Sequence, residues 1–214
     1  MFKNIKVLVW DFDGTLYPPN RQLWQAVRQA EYKTIMTYTG WDKDKVVAEF
    51  NKLHQKRIPS ATETVAYLSG ITTAQAAVEM EQYFDRRQFL KRDVKLIKLF
   101  AQLTGFRHVT LANGVIERHI QTLKVLGLPK ETFELMVTSE VVGVTKPHDK
   151  GFRYILYYTK LPPEEHLMIG DREIVDLAPA KKLGMKTCLV WSQERSKIAD
   201  VTLPTVYQIA KLLL

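Results

Sequence analysis

The sequence predicts a doubly wound α/β fold, a mainly parallel core sheet with helices on both faces, interrupted early by an inserted α-helical cap. Three observations predict it. Short runs rich in Val, Ile and Leu recur with little polar alternation, as strands covered on both faces require. From residue 93 onward these runs alternate with helical periodicities, the rhythm of βαβ units. Between the first run and the rest, residues 18 to 90 show apolar residues at three-and-four spacing and almost no strand.

The first strand is IKVLVW (5–10), and it runs into DFDGT, where Asp-Gly taken alone is a turn dipeptide. Three cap helices are read from RQLWQAVRQAEYKTIMTY, DKDKVVAEFNKLHQ and TTAQAAVEMEQYF, with Gly40, Pro59 and Gly70 in the loops between them. Their aromatics, Trp24, Tyr32, Tyr38, Trp41, Phe50, Tyr67, Tyr83 and Phe84, are expected to fill the cap's own core. The remaining strands are HVTLA (108–112), LMVTS (135–139), HLMI (166–169) and KTCLV (186–190). Helices are expected over 93–104, 115–126, 148–160 and 173–183, with Gly127 and Gly184 as stops. The division that follows is a core of residues 1–17 and 91–214 and a cap of residues 18–90.

Composition narrows the function classes. A chain of 214 residues with 46 % hydrophobic content buries a sizeable core. The single cysteine, Cys188, excludes an internal disulfide, fits a reducing cytoplasm and reads as a buried thiol in TCLVW. No apolar stretch approaches the roughly 20 residues that span a bilayer, and no secretory signal precedes the first strand. The formal charge of +8 is spread along the chain, as in KRDVKLIK and KKLGMK, so nucleic acid and membrane are not expected as partners. Such a field instead favours small phosphorylated substrates. The five histidines, His54, His108, His119, His148 and His166, show no metal-ligand spacing and read as structural or surface residues. A monomer or a homodimer is the expected state.

The polar residues follow the strands. Asp11 and Asp13 come after the first, Asn113 and Gly114 after HVTLA, Lys146 and Pro147 shortly after LMVTS, and Gly170 and Asp171 after HLMI. In a doubly wound sheet these carboxyl ends share one rim, where ligands bind. The residue types form a phosphoryl-transfer set. An aspartate becomes a competent nucleophile toward phosphorus only if the charges are shielded. Mg²⁺ held by Asp11, Asp171 and the Asp13 carbonyl would do that. Lys146 would steady the nucleophile and the phosphoryl oxygens. The Asp13 side chain is then free to protonate the leaving alkoxide and to deprotonate water. Gly14 permits a tight loop that Thr15 is expected to fix through a side-chain to backbone bond. Asp176 either orients the metal's water or caps the following helix. A lysine before Pro147 at a helix start opposes the helix dipole, which favours a functional reason for Lys146.

DFDGT (11–15), LANG (111–114), TKP (145–147) and GDREIVD (170–176), in this order and spacing, resemble the four motifs of the haloacid dehalogenase superfamily. The resemblance covers nearly the whole chain and is nearest to phosphoglycolate phosphatases and pyrimidine 5'-nucleotidases. It implies a Rossmann-like core, Mg²⁺ as cofactor, a transient aspartyl-phosphate on Asp11, and phosphoryl contacts from Thr15, Asn113 and Gly114. An acid at position 13 is similar to the pattern of the phosphate-ester hydrolases and phosphomutases, not of the dehalogenases. Two positions depart from the family pattern. Ala112 replaces a Ser or Thr whose hydroxyl bonds phosphate, a loss worth roughly 1.5 to 3 kcal/mol. Arg172 follows Asp171 where small polar residues are usual. The expected function is Mg²⁺-dependent phosphomonoester hydrolysis. The alternatives are an impaired relative that binds a phosphorylated ligand or protein, and a sugar phosphomutase. Tyr17, Arg21, Arg57 and Tyr67 are candidates to face the substrate.

Overall fold

The computed structural model describes residues 2–214. Six strands form one sheet in the order β3-β2-β1-β4-β5-β6: β1 (Val7–Trp10), β2 (Arg107–Ala112), β3 (Leu135–Thr138), β4 (His166–Gly170), β5 (Lys186–Val190) and β6 (Val201–Leu203). All neighbouring pairs are parallel. The chain builds outward from β1 through β2 to β3, then crosses back to lay β4, β5 and β6 on the other side. The strand order therefore switches at β1 and β4, whose carboxyl ends open the crevice in which such sheets bind ligands.

Four helices are inserted between β1 and β2: α1 (Arg21–Thr39), α2 (Lys43–Leu53), α3 (Ala61–Ser69) and α4 (Thr73–Met80). They share an apolar cluster of their own, built on Tyr32, Ile35, Val46, Phe50, Val65 and Met80. The α3 helix went unread in the sequence because ATETVAYLS mixes Thr and Val with few large apolar residues, and β-branched residues lower helix propensity. Its start is set by Ser60, whose hydroxyl accepts the Glu63 amide, and Gly70 ends it in the left-handed region. Of the aromatics assigned to the cap core, Tyr32 and Phe50 are buried, whereas Trp24, Tyr38 and Tyr67 are exposed. Sequence periodicity overstated the burial of those three.

The core helices are α5 (Val94–Gln102), α6 (Ile116–Leu126), α7 (Ser139–Val142), α8 (Lys150–Thr159), α9 (Ala178–Lys182) and α10 (Ile209–Leu213). Alternation along β1 divides them into two layers. Leu8 and Trp10 pack with Leu96, Leu99, Leu123 and Ile209 on one face, while Val7 and Val9 pack with Phe152, Ile155 and Ala180 on the other. Trp10 is fully buried, and its indole N–H donates to His108 Nδ1 at 3.1 Å. Cys188 lies buried and unpaired in β5. The helix read over 173–183 is broken: Glu173–Leu177 winds as a π-helix before α9, with Pro179 in the first turn of α9. β6 was not read because VTL is a short edge strand, half-buried throughout.

One cap residue carries a pH prediction. Glu31 is 3 % exposed, and burial pushes its carboxyl up to about 7 despite Arg28 at 2.8 Å. A folded value above the unfolded one stabilises the protein below the unfolded value near 4.5, and that stability is lost as pH rises through 7. Glu31→Gln is therefore expected to stabilise the protein by on the order of 2 kcal/mol at about pH 8 and to have little effect near pH 5. Urea midpoints at the two pH values check this, and an equal effect at both would contradict it.

Candidate active site

The site forms where β1, β2, β3 and β4 end. The Asp11 amide donates to the Ile169 carbonyl at 2.9 Å, so the carboxyl end of β1 is tied to β4. Lys146 enters from the loop after α7, and its Nζ lies 2.5 Å from Asp11 Oδ1 and 2.7 Å from Asp176 Oδ1. All three are buried. The peptide before Pro147 leads into α8, which starts only at Lys150, so Lys146 points into the acid cluster and does not sit at a helix N-terminus.

Carboxylate oxygens of Asp11, Asp171 and Asp176 lie within 4.8 Å of one another. Their charges are unequal. Burial works to raise the Asp11 carboxyl, but the Lys146 and Arg172 cations outweigh it and hold Asp11 below the usual carboxylate range. Burial also works against the Lys146 ammonium, and Asp11 and Asp176 overcome it, so Lys146 stays charged. Asp171 is less fully compensated: burial and the negative charges of Asp11 and Asp176 outweigh the Arg172 and Lys146 cations and push it up to about 8. Its Oδ1 is buried and makes no hydrogen bond. An unpartnered carboxylate oxygen among all-oxygen donors is the environment a hard divalent cation relieves, so the residues fit Mg²⁺. Gly14, at φ +85°, is required here: a Cβ would stand 2.7 Å from Asp171 Oδ2.

Supporting residues fix this arrangement. Thr15 Oγ1 donates not to the backbone, as the sequence suggested, but to Asp11 Oδ2 at 2.9 Å, because the carboxylate lies one turn back in the same loop, and the Trp191 indole N–H donates to the Thr15 carbonyl. Asn113 Oδ1 accepts the Lys146 amide at 2.9 Å, so that side chain positions Lys146. The Gly114 amide donates to Ser139 Oγ at 2.9 Å, which engages the amide expected to face phosphate. Of the two roles the sequence left open for Asp176, capping has a contact, Oδ2 accepting the Arg172 amide at 3.1 Å, while Oδ1 meets Lys146. Arg172 is 44 % exposed, its Nε 3.8 Å from Asp171 Oδ1 and from Asp176 Oδ2. Ala112 is packed among apolar side chains; its register partner Thr138 has a buried hydroxyl without a partner.

Asp13 is not free in the way the sequence implied. Its carboxylate accepts from Arg86 Nε at 3.0 and 3.1 Å, from Arg86 Nη2 at 3.0 Å, and from the Tyr17 hydroxyl. Burial works to raise it, but Arg86, His119 and Tyr17 hold it below the ordinary range. Arg86 in turn meets both oxygens of Glu81 at 2.5 Å. Arg86 and Glu81 escaped the sequence reading because EQYFDRRQF resembles a solvated charge run. Glu63 escaped as well: its Oε1 accepts from Thr145 Oγ1 at 2.6 Å, joining α3 to the loop that carries Lys146. Of the candidate substrate contacts, Tyr17 is buried beside Asp13, whereas Arg21, Arg57 and Tyr67 are exposed.

The haloacid dehalogenase-like hydrolase family model matches residues 5–184. A glyceraldehyde 3-phosphate phosphatase of Methanopyrus kandleri is 28 % identical over 211 residues, covering 92 % of this chain and 87 % of its own. A pyrimidine 5'-nucleotidase of Escherichia coli is 30 % identical over a stretch covering 48 % of each chain. The crystal structure of a phosphatase of the same superfamily from Thermococcus onnurineus superposes with a TM-score of 0.69 at 22 % identity, covering 97 % of both chains. No helix among the described residues is long and apolar enough to cross a membrane. With a matching family model over most of its length and phosphatases among its relatives, the chain belongs to the haloacid dehalogenase-like hydrolases.

Proposed function

We propose that the protein is a Mg²⁺-dependent phosphomonoester hydrolase acting on a small phosphorylated metabolite, with Asp11 as nucleophile. The observation that carries this reading is Lys146 bonded to Asp11 in a buried cluster that leaves an Asp171 oxygen without a hydrogen bond. Mg²⁺ would be held by Asp11, Asp171 and the Asp13 carbonyl, and would supply charge neutralisation for an anionic nucleophile attacking an anionic ester.

The side chains divide the remaining work. Lys146 and Thr15 occupy Asp11 Oδ1 and Oδ2 and fix its plane. Asp13, ionised in the free site, takes up a proton as the anionic ester binds beside it; an Asp11 oxygen then forms the bond to phosphorus as the ester oxygen leaves with that proton. Water then attacks the phosphoryl group, gives its proton to Asp13, and Asp11 is released. Asn113 contributes by holding Lys146, and no hydroxyl is present at Ala112 to share the phosphoryl charge. The cap formed within residues 18–90 would cover the site and select the leaving group. A triose phosphate is a natural first substrate, since the Methanopyrus relative, matched over most of both chains, is named for one.

The reading is tested by phosphate release from glyceraldehyde 3-phosphate and p-nitrophenyl phosphate, with Mg²⁺ and with EDTA. Turnover should require the metal; equal rates in EDTA refute the assignment. Independently of activity, Mg²⁺ at 100 times its dissociation constant should stabilise the wild type by about 2.7 kcal/mol. Asp171→Asn should abolish most of that gain in thermal unfolding, and an unchanged gain would remove Asp171 from the metal site.

A further inference from the structure

The chain crosses between core and cap twice, and both crossings grip one side chain. Tyr17 stands on the outgoing segment and Arg86 on the returning one, in a short 3₁₀ turn (Arg86–Phe89). Both bond to the carboxylate of Asp13. Arg86 is 7 % exposed, lies with its guanidinium 4.7 Å from the centre of the Phe84 ring, and is held on its far side by Glu81. The floor of this polar cluster is His119, which stacks on Phe12 at 4.3 Å.

A guanidinium presents donors in a fixed plane, so a two-pronged contact fixes both the position and the rotation of a carboxylate. Surface ion pairs do little of this, because both partners remain mobile. Here the pair is enclosed, and the Asp13 side chain is only 18 % exposed. One edge of the carboxylate is taken by the fork and Oδ1 also accepts from the Tyr17 hydroxyl, so Oδ2, which meets no donor besides Arg86 among the described residues, is the oxygen left to face a ligand.

We propose that Arg86 is a positioning residue for the reaction: it aims Asp13 for proton transfer, and so makes the returning cap linker part of the reaction machinery. The inference rests on the reading of Asp13 as the proton carrier. Arg86 itself touches neither phosphorus nor the leaving group. Its action is to hold one carboxylate where the leaving oxygen takes a proton and the attacking water gives one up. Glu81 keeps the guanidinium from following its ligand.

The test compares two leaving groups in the presence of Mg²⁺. The nitrophenolate of p-nitrophenyl phosphate departs without a proton, so its first-turnover burst does not need Asp13. The alkoxide of glycerol phosphate does need it. Asp13→Asn should lower turnover of glycerol phosphate by about 100-fold or more and leave the burst rate within a few-fold of wild type. Arg86→Ala should show the same split, with a loss of about tenfold or more on glycerol phosphate. The double variant should be no slower than Asp13→Asn alone, because both changes remove one function. Arg86→Lys keeps the charge without the fork and should fall between wild type and Arg86→Ala; should Arg86→Ala not fold, it is read in its place. An equal loss on burst and alkyl turnover, no loss at all, faster alkyl turnover, or losses that multiply in the double variant would each overturn the role of Arg86. If Asp13→Asn itself spares glycerol phosphate, the assignment of Asp13 fails and the inference fails with it.

Discussion

Asp11→Asn is expected to reduce turnover by about 10⁴-fold or more, as loss of a covalent nucleophile does elsewhere, while the protein remains folded. An amide has the shape of the carboxylate and keeps an oxygen for the Lys146 ammonium, with its NH₂ free to donate to Thr15 Oγ1. It removes one negative charge from a cluster in which Asp11 is itself a cause of the raised Asp171 and Asp176 carboxyls. Loss of the nucleophile and easing of repulsion should thus appear together. Steady-state rates on the best substrate, alongside a thermal melt, separate them: an inactive variant that melts near the wild type supports the assignment. A variant that retains even a tenth of the activity would place the nucleophile elsewhere.

Lys146→Met should cost both activity and stability. The lysine is the cation buried between Asp11 and Asp176, and removing one partner of a buried ion pair typically costs 3–5 kcal/mol. Part of that loss should be recoverable by acid. Without Lys146, burial and mutual repulsion raise the folded values of the carboxyls above the unfolded ones. Stability is then present at low pH and lost as pH rises through those folded values. Urea unfolding of Lys146→Met should approach the wild type near pH 5, diverge toward about pH 8, and be partly restored by Mg²⁺. A deficit that does not change with pH would mean that Lys146 contributes packing and not charge compensation.

The parallel sheet was legible because buried strands leave a record: VLVW, HLMIG and KTCLV are runs of Val, Leu, Ile, Met, Cys and Trp whose polar residues stand at their amino ends. Asp11, Lys146, Asp171 and Asp176 were legible for a related reason, since each follows a strand whose end the topology brings to the rim. What the sequence concealed were contacts between segments far apart in the chain. Arg86 and Asp13 are 73 residues apart, and Glu63 and Thr145 are 82. Nothing local distinguishes an arginine that will be buried against a carboxylate from one on a solvated helix. The role of Asn113 was displaced in the same way: its motif was visible, but its partner, the Lys146 amide, depends on a loop 33 residues on.

The position of β1 at the centre of the sheet has a consequence for how the molecule assembles. Val7 pairs with Arg107 on one side and with His166 on the other. Closing such long loops is entropically slow, and topologies dominated by distant pairing fold slowly. The four inserted helices have a local core and need none of these pairings. The cap can therefore gain structure early, whereas Asp11 meets Lys146 and Asp171 only after the distant strands have docked. Partly folded chains on this route would have the inserted helices formed and the acid cluster at the end of β1 not yet assembled.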